Sequence, residues 1–198
     1  MLSRGFLSNF VLLKHPHYTQ HLRCAESDER VYHLSVVYGS NQAPGVSLVL
    51  ASEKGYTGTV KFLVRRGVCV HANDDGALRG ASGEDRLEVV KFLILHGADV
   101  RAGGDKALRW ASGEGRLEVV KFLILHGADI HASNDEALRW ASKKGYSEVV
   151  EYLVSQGADV RADNDGALEW ASMRGHFEVT QYLIEKGAGE EGGEKNTE

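Results

Sequence analysis

Two consecutive segments of the chain are almost copies of each other. Residues 77–106 read ALRGASGEDRLEVVKFLILHGADVRAGGDK, and residues 107–136 read ALRWASGEGRLEVVKFLILHGADIHASNDE. A copy of this length is too long for a local motif. It predicts that the chain repeats a complete unit of structure.

The same 30-residue step continues on both sides of these segments. An Ala-Ser pair recurs at 51–52, 81–82, 111–112, 141–142 and 171–172. A glycine recurs at the same step, at 67, 97, 127, 157 and 187. A fixed step of this size indicates stacked supersecondary units, each of which buries its apolar side only against its neighbours.

Each unit predicts two helices joined by a tight turn. In the fourth copy, Asp135 can cap a short first helix, because aspartate is a favoured N-cap residue. Gly145 permits a left-handed turn, and the segment SEVVEYLVSQ (147–156) predicts a second helix with apolar residues on more than one side. Gly157 then takes the usual position after a helix end. The expected fold is therefore all-α.

These residues resemble the ankyrin repeat. Its helix pair and Gly-Ala-Asp ending are matched by ALRWASGEGRLEVVKFLILHGADIHA (107–132), and the resemblance covers residues 46–188. It implies an ankyrin-type helix-turn-helix solenoid. The period of 30 is shorter than the family's usual length of about 33 residues, and the missing residues fall before the first helix. We therefore expect shortened finger loops, similar to the repeats in ankyrin proteins of large DNA viruses.

The ends of a repeat array must differ from its middle, because they expose a face that inner units bury. Residues 27–39 imitate a second helix and its final glycine, whereas GEEGGEKNTE (189–198) is acidic and glycine-rich. The expected organisation is an unassigned arm at 1–15, a degenerate capping repeat at 16–45, five repeats over 46–188 (47–76, 77–106, 107–136, 137–166 and 167–188) and a disordered tail at 189–198.

Three tryptophans, Trp110, Trp140 and Trp170, share one repeat position where the family usually has leucine. The threonine and histidine whose hydrogen bonds join neighbouring ankyrin units are missing here. We expect the tryptophans to replace them as a buried structural ladder, each indole removing roughly 150–250 Å² from water. Truncation to alanine would then cost about 3–5 kcal/mol. A ligand-stacking role for the same rings is the alternative.

The sequence offers little for catalysis. No phosphate-binding, nucleophile-elbow or zinc-protease motif is present. Equivalent histidines such as His96 and His126 belong to neighbouring units, about 8–10 Å apart, which is too far to share a zinc ion. His17 and His21 could share a helix face but have no cysteine or carboxylate beside them. We expect no enzyme, cofactor, bound metal or small-molecule substrate.

The variable positions of the repeat predict a binding surface. The resemblance implies that partners contact the finger tips and the exposed ends of the first helices on the concave face. The residues expected there are Glu84, Glu114, Asn134, Lys143, Lys144, Asp163, Asn164, Met173 and Arg174. Their framework stays constant while they vary, as on a scaffold that carries a binding site. Lys143, Lys144 and Arg174 favour a protein partner with an acidic patch.

Three alternatives stay open beside a protein-binding scaffold. The helix ends can be simply polar, in an orphan structural repeat protein with no specific partner. Nucleic acid could bind the Lys143/Lys144/Arg174 cluster, although the net charge of −5 and the framework positions of the aromatic residues disfavour it. An enzyme using Cys69 or His71 is the third.

The two cysteines, Cys24 and Cys69, have no disulfide or metal-ligand spacing, which is typical of a reducing compartment. No apolar run approaches the ~20 residues of a membrane span. We therefore expect an intracellular protein, cytoplasmic or nuclear, in the host cell if it is viral. We also expect a monomer with no membrane partner.

Overall fold

A computed structural model of the protein describes residues 44–189. These residues form ten helices and no strand, and none of the helices is long and apolar enough to cross a lipid bilayer. In chain order they are α1 (Pro44–Glu53), α2 (Thr57–Arg65), α3 (Ala72–Gly83), α4 (Leu87–Leu95), α5 (Ala102–Gly113), α6 (Leu117–Leu125), α7 (Ala132–Lys144), α8 (Ser147–Ser155), α9 (Ala162–Arg174) and α10 (Phe177–Glu185).

The odd-numbered helices, called first helices below, pack mainly on one another along the stack. The even-numbered second helices form the other layer, and each packs against the first helix before it. The core between the layers repeats from unit to unit. Leu108, Ala111, Val120 and Leu123 are each fully buried, and so are their counterparts 30 residues later, Leu138 to within 1%. The predicted all-α repeat solenoid is confirmed for the described residues.

Each second helix is short because the glycine two residues after its last residue ends the helix. In α6, Val119, Val120 and Leu123 form the buried stripe. Gly127 then takes φ 94°, where glycine carries no steric cost. The N–H of Ala128 donates to the carbonyl of Leu123 at 3.0 Å, which ends the helix in the Schellman arrangement.

The fingers are reduced to a left-handed turn within each first helix from α3 onward. Three consecutive residues take φ between 51° and 69°, at 73–75, 103–105, 133–135 and 163–165. Asn, Asp, Ser and Gly fill these places, and apart from serine these are the residues that best tolerate this region. The predicted shortening of the finger loops is confirmed in this part of the chain.

Several sequence predictions lie outside the described residues. They concern the arm at 1–15, nearly all of the degenerate cap at 16–45 and all but one residue of the tail at 189–198. The His17/His21 pair and Cys24 also lie there. These remain predictions.

Candidate partner-binding face

The first helices expose a row of tryptophans. Trp110 is 53% exposed and Trp140 is 40% exposed, and Trp170 is partly exposed. These three rings, with the exposed residues of α3, α5, α7 and α9 around them, are called the tryptophan face below. The prediction of a buried tryptophan ladder was therefore wrong. The rings lie at the surface of the stack and do not form its core.

Each indole nevertheless lies against the repeat before it. A Cβ atom added at Gly83 would lie 3.3 Å from Cε3 of Trp110, and one added at Gly113 would lie 3.4 Å from Cβ of Trp140. Both glycines are buried, so their missing side chains leave room for the indoles. The rings are thus held in place on one side and open to solvent on the other.

Cations cover part of the exposed rings. Lys143 stands where the two preceding repeats have glycine. Its ammonium lies 4.2 Å from the centroid of Trp170 and 4.9 Å from that of Trp140. The guanidinium of Arg79 lies 5.7 Å from the centroid of Trp110. A cation over an indole face is attracted by the negative face of the ring. The face therefore combines aromatic surface with positive charge.

Glu136 fixes the middle of the tryptophan face. One of its carboxylate oxygens accepts a hydrogen bond from Trp140 Nε1 at 3.0 Å, and the other pairs with Arg109 of the preceding first helix. Partial burial on its own would raise the pKa of Glu136. The hydrogen bonds from Trp140 and Arg109, with the charges of Arg109 and Arg139, outweigh burial and lower that pKa. Sequence reasoning missed this residue.

The residues predicted to bind a partner fall into two groups. Eight are exposed at the helix ends or in the fingers: Glu84, Glu114, Asn134, Lys144, Asp163, Asn164, Met173 and Arg174. Lys143 is partly buried because it covers two indoles. Asp163 forms an ion pair with Arg139, so its carboxylate is already engaged. Met173 is 70% exposed and extends the apolar surface beyond Trp170.

A row of aspartates, and not the tryptophans, replaces the family's missing inter-repeat hydrogen bonds. Each aspartate closes one finger turn, and its Oδ1 accepts a backbone N–H from the next repeat. The pairs are Asp75 with Asp99 at 3.0 Å, Asp105 with Asp129 at 2.7 Å, Asp135 with Asp159 at 3.0 Å and Asp165 with Gly189 at 3.0 Å. The predicted N-cap role of Asp135 was therefore wrong, since the bond of its Oδ1 leads out of its own repeat.

Burial disfavours the charged form of an aspartate in this row. Asp105 is 2% exposed, and loss of hydration raises its pKa, although the hydrogen bond from Asp129 and the charge of Arg101 act the other way. The 30-residue spacing of these aspartates is visible in the sequence. That spacing is the signal that could have assigned them a structural role.

A second set of side chains ties the first helices α1 and α3 to the following repeat. Arg86 Nε donates to the carbonyl of Glu53 at 3.1 Å, and Arg116 Nε donates to that of Gly83 at 3.0 Å. The acceptors lie in the last turn of a first helix, where carbonyls lack partners within the helix. These two hydrogen bonds do not engage the indole rings.

Within residues 44–189, no group of three His, Cys, Asp or Glu side chains could hold a metal ion. His96 and His126 each place Nδ1 2.8 Å from the carbonyl of a phenylalanine one turn earlier in the same helix. Cys69 is exposed.

Comparison with known proteins agrees with this architecture. A family model described as ankyrin repeats (3 copies) matches residues 48–134 and, in a second overlapping match, residues 108–194. A search of curated proteins found no match. Ankyrin repeats are generally protein–protein interaction modules. Because the two matches together cover well over half of the sequence, the chain belongs to the ankyrin-repeat family.

Proposed function

We propose that this chain is a non-catalytic interaction scaffold whose protein partner docks on the tryptophan face and the adjacent finger turns, the side expected to be concave. The observation that carries the proposal is the exposure of Trp110 and Trp140 on a packed, repeating framework. Tryptophan and arginine are the residues most enriched at the energetic centres of protein interfaces. Rings already held by the preceding repeat lose little further freedom on binding.

The charge along the face indicates where an acidic partner docks. Lys143, Lys144 and Arg174 lie at the C-terminal ends of α7 and α9, whereas Glu84 and Glu114 take the corresponding place on α3 and α5. Opposite charges across an interface speed association and fix its orientation. An acidic patch on the partner therefore meets the α7–α9 end of the face.

Nucleic acid fits this face less well than protein. The exposed indoles remove one objection raised by the sequence, because their rings are accessible for stacking. However, Glu136 and Glu169 lie on the same helices, and Glu84 and Glu114 directly follow two of them. The net charge of the chain is −5. A surface that neutralises phosphates needs a cationic field, and these carboxylates oppose one.

The test is affinity capture from cell lysate with matched charge reversals. The first variant is Lys143→Glu/Lys144→Glu/Arg174→Glu on the tryptophan face. The control is Lys61→Glu/Lys91→Glu/Lys121→Glu, which makes the same change of charge on the second helices. Thermal unfolding followed by circular dichroism checks that both variants fold.

A protein that binds the native chain and the control, and not the first variant, supports the proposal. Equal capture by all three chains contradicts the assigned face. Capture abolished by nuclease treatment of the lysate contradicts a protein partner and supports the nucleic-acid alternative.

A further inference from the structure

We propose that the tryptophan face also docks on the tryptophan face of a second copy of this chain, in an antiparallel, two-fold symmetric dimer. This inference rests on the proposed function, because it uses the same face, and it identifies a partner for it. The acidic patch that Lys144 and Arg174 require is present on the chain itself, as Glu84 and Glu114. This dimer differs from the monomer that was expected from the sequence.

The two-fold axis that fits runs parallel to the first helices and passes between α5 and α7. It turns one face onto the other and reverses the order of the repeats. Helix α5 then lies opposite α7 of the second copy, and α3 lies opposite α9. Because the axis is parallel to the helices, residues at the same level of the repeat face each other.

Charges at those levels are complementary. Glu84, Glu114, Lys144 and Arg174 occupy one repeat position, at a strict 30-residue step. The axis places Glu114 opposite Lys144 of the second copy and Glu84 opposite Arg174 of the second copy. All four side chains are exposed, and none of them has an ion pair within residues 44–189. Each contact occurs twice, because a two-fold interface is self-complementary.

Charges are also complementary at a second repeat position of the same helices. Arg79 of α3 lies opposite Glu169 of the second copy's α9, again with opposite charges. The corresponding residues of α5 and α7 are Arg109 and Arg139, which have like charges. Each of these two arginines is already neutralised within its own chain, by Glu136 and Asp163 respectively. Like charges therefore do not oppose each other unpaired at the axis.

Exposed aromatic surface lies at the centre of this pairing. Trp110 and Trp140 of both copies meet around the axis, and each exposes about half of its surface for that contact. Trp170 and Met173 lie at one end of the face, opposite α3 of the second copy, where Trp110 of that copy covers Gly83. Within the described residues no β-hairpin stands at the finger ends of these helices.

The size of the overlap sets the strength of the dimer. Four helices spaced by about 10 Å give a face about 40 Å long. About ten helical residues in each first helix give the face a width of about 15 Å. Each copy therefore offers about 600 Å², and the dimer buries about 1,200 Å² in total, at the lower end of specific interfaces. We therefore expect dissociation constants on the order of 10 µM, weakening as salt screens the charge pairs.

The experiment is sedimentation velocity of the full chain from about 1 to about 300 µM, a range that brackets that constant. Two variants invert one half of the charge row each, Glu84→Lys/Glu114→Lys and Lys144→Glu/Arg174→Glu. Each alone brings like charges together across the axis, whereas a mixture of the two places opposite charges at every pair.

Two controls separate this geometry from general charge attraction. Glu88→Lys/Glu118→Lys makes the same change of charge in the same repeats, but on the second helices α4 and α6. Lys54→Glu continues the charge row onto α1, which has no counterpart in the overlap of four helices. The dimer should tolerate Lys54→Glu.

The native chain should rise in mass from 21.7 kDa towards twice that value as concentration increases. Each inverted variant alone should dimerise at least about 10-fold more weakly, two lost charge pairs being sufficient for that change. Their mixture should restore the dimer. In a mixture of fluorescently labelled Lys144→Glu/Arg174→Glu with Glu88→Lys/Glu118→Lys, the second variant should dimerise with itself, and the labelled chain should stay monomeric.

A native chain that stays monomeric over the whole range would overturn the dimer. So would a labelled Lys144→Glu/Arg174→Glu chain that enters dimers with the second-helix control as strongly as with Glu84→Lys/Glu114→Lys. Neither result affects the lysate capture experiment. Loss of the dimer with a retained, face-dependent protein partner would leave the proposed function standing alone.

Discussion

Residues two positions apart in one helix have opposite environments in this protein. Leu138 is 1% exposed, whereas Trp140 is 40% exposed. Successive residues of an α-helix turn by about 100°, so positions i and i+2 point to nearly opposite sides. Leu138, Ala141 and Ser142 have the spacing of one buried face, and Trp140 falls outside it. The sequence therefore contained the evidence that the tryptophans lie at the surface.

The contribution of each finger aspartate to stability should depend on its acceptor oxygen more than on its charge. We predict that Asp105→Ala lowers the free energy of unfolding by about 1–3 kcal/mol, because the N–H of Asp129 loses its acceptor. Asp105→Asn keeps an oxygen acceptor and tolerates positive φ. It should cost much less in urea denaturation at pH 7. Equal losses for the two variants would contradict the assigned hydrogen bond.

The raised pKa of Asp105 predicts how the Asn variant depends on pH. A carboxyl group whose pKa is raised by folding destabilises the fold when it is charged, that is, above the folded pKa. Asp105→Asn removes that cost. Its stability relative to the native chain should therefore be best at neutral pH and decline as the pH falls to about 3.9, the ordinary aspartate pKa.

Glu136 predicts the opposite pH dependence. Its pKa is lowered in the fold, so it contributes stability above the ordinary glutamate pKa of about 4.3 and loses it as the pH falls through the folded pKa. Glu136→Gln should cost about 1 kcal/mol at pH 7, since its hydrogen bonds become neutral. The difference from the native chain should shrink in unfolding experiments between about pH 5 and pH 3. A difference that is constant with pH would refute the assignment.

At the scale of the element, the turns between the two helices of a repeat share one backbone conformation. Gly55, Gly115, Gly145 and Gly175 take φ between 72° and 77° there, and Asp85 takes φ 59° in the second repeat. A residue with a Cβ is strained in this region, although aspartate less than most. In the α3–α4 turn, Asp85 therefore fits this backbone conformation less well than the glycines of the other turns.

We predict that Asp85→Gly raises the free energy of unfolding by about 0.5–1 kcal/mol. The reverse change in the next repeat, Gly115→Asp, should destabilise the protein, because its Cβ would lie 2.6 Å from Cδ1 of Tyr146. Thermal unfolding of the two variants gives the comparison. A loss of stability with Asp85→Gly would show that Asp85 makes a contact that outweighs its backbone strain.

The helices were predictable and the fingers only partly so. Apolar spacing and the stop glycines predict helix pairs, because both are local signals. The three left-handed residues at 133–135 depend on a bond from Asp135 to the next repeat, 24 residues away. A local reading of Asp135 gives an N-cap instead. Its long-range partner becomes visible when the repeats are stacked.

At the scale of the whole molecule, the repeat predicts the family and the fold but not the contacts that side chains make across repeats. The 30-residue step and the Gly-Ala-Asp endings are sufficient for a solenoid. Which side chains stand free depends on packing across repeats, as when Trp140 lies on Gly113. Lys143 shows the same limit, because its contact with two indoles spans two repeats.

The tryptophans provide the most direct test of the account, because all three in the sequence lie on the proposed binding face. Quenching of their fluorescence by acrylamide reports how far that face is open to solvent. We predict ready quenching in the dilute native chain and protection when the captured partner or a second copy is bound. Indoles that resist quenching in the dilute, folded chain would place them in the core, and would contradict the tryptophan face as a binding surface.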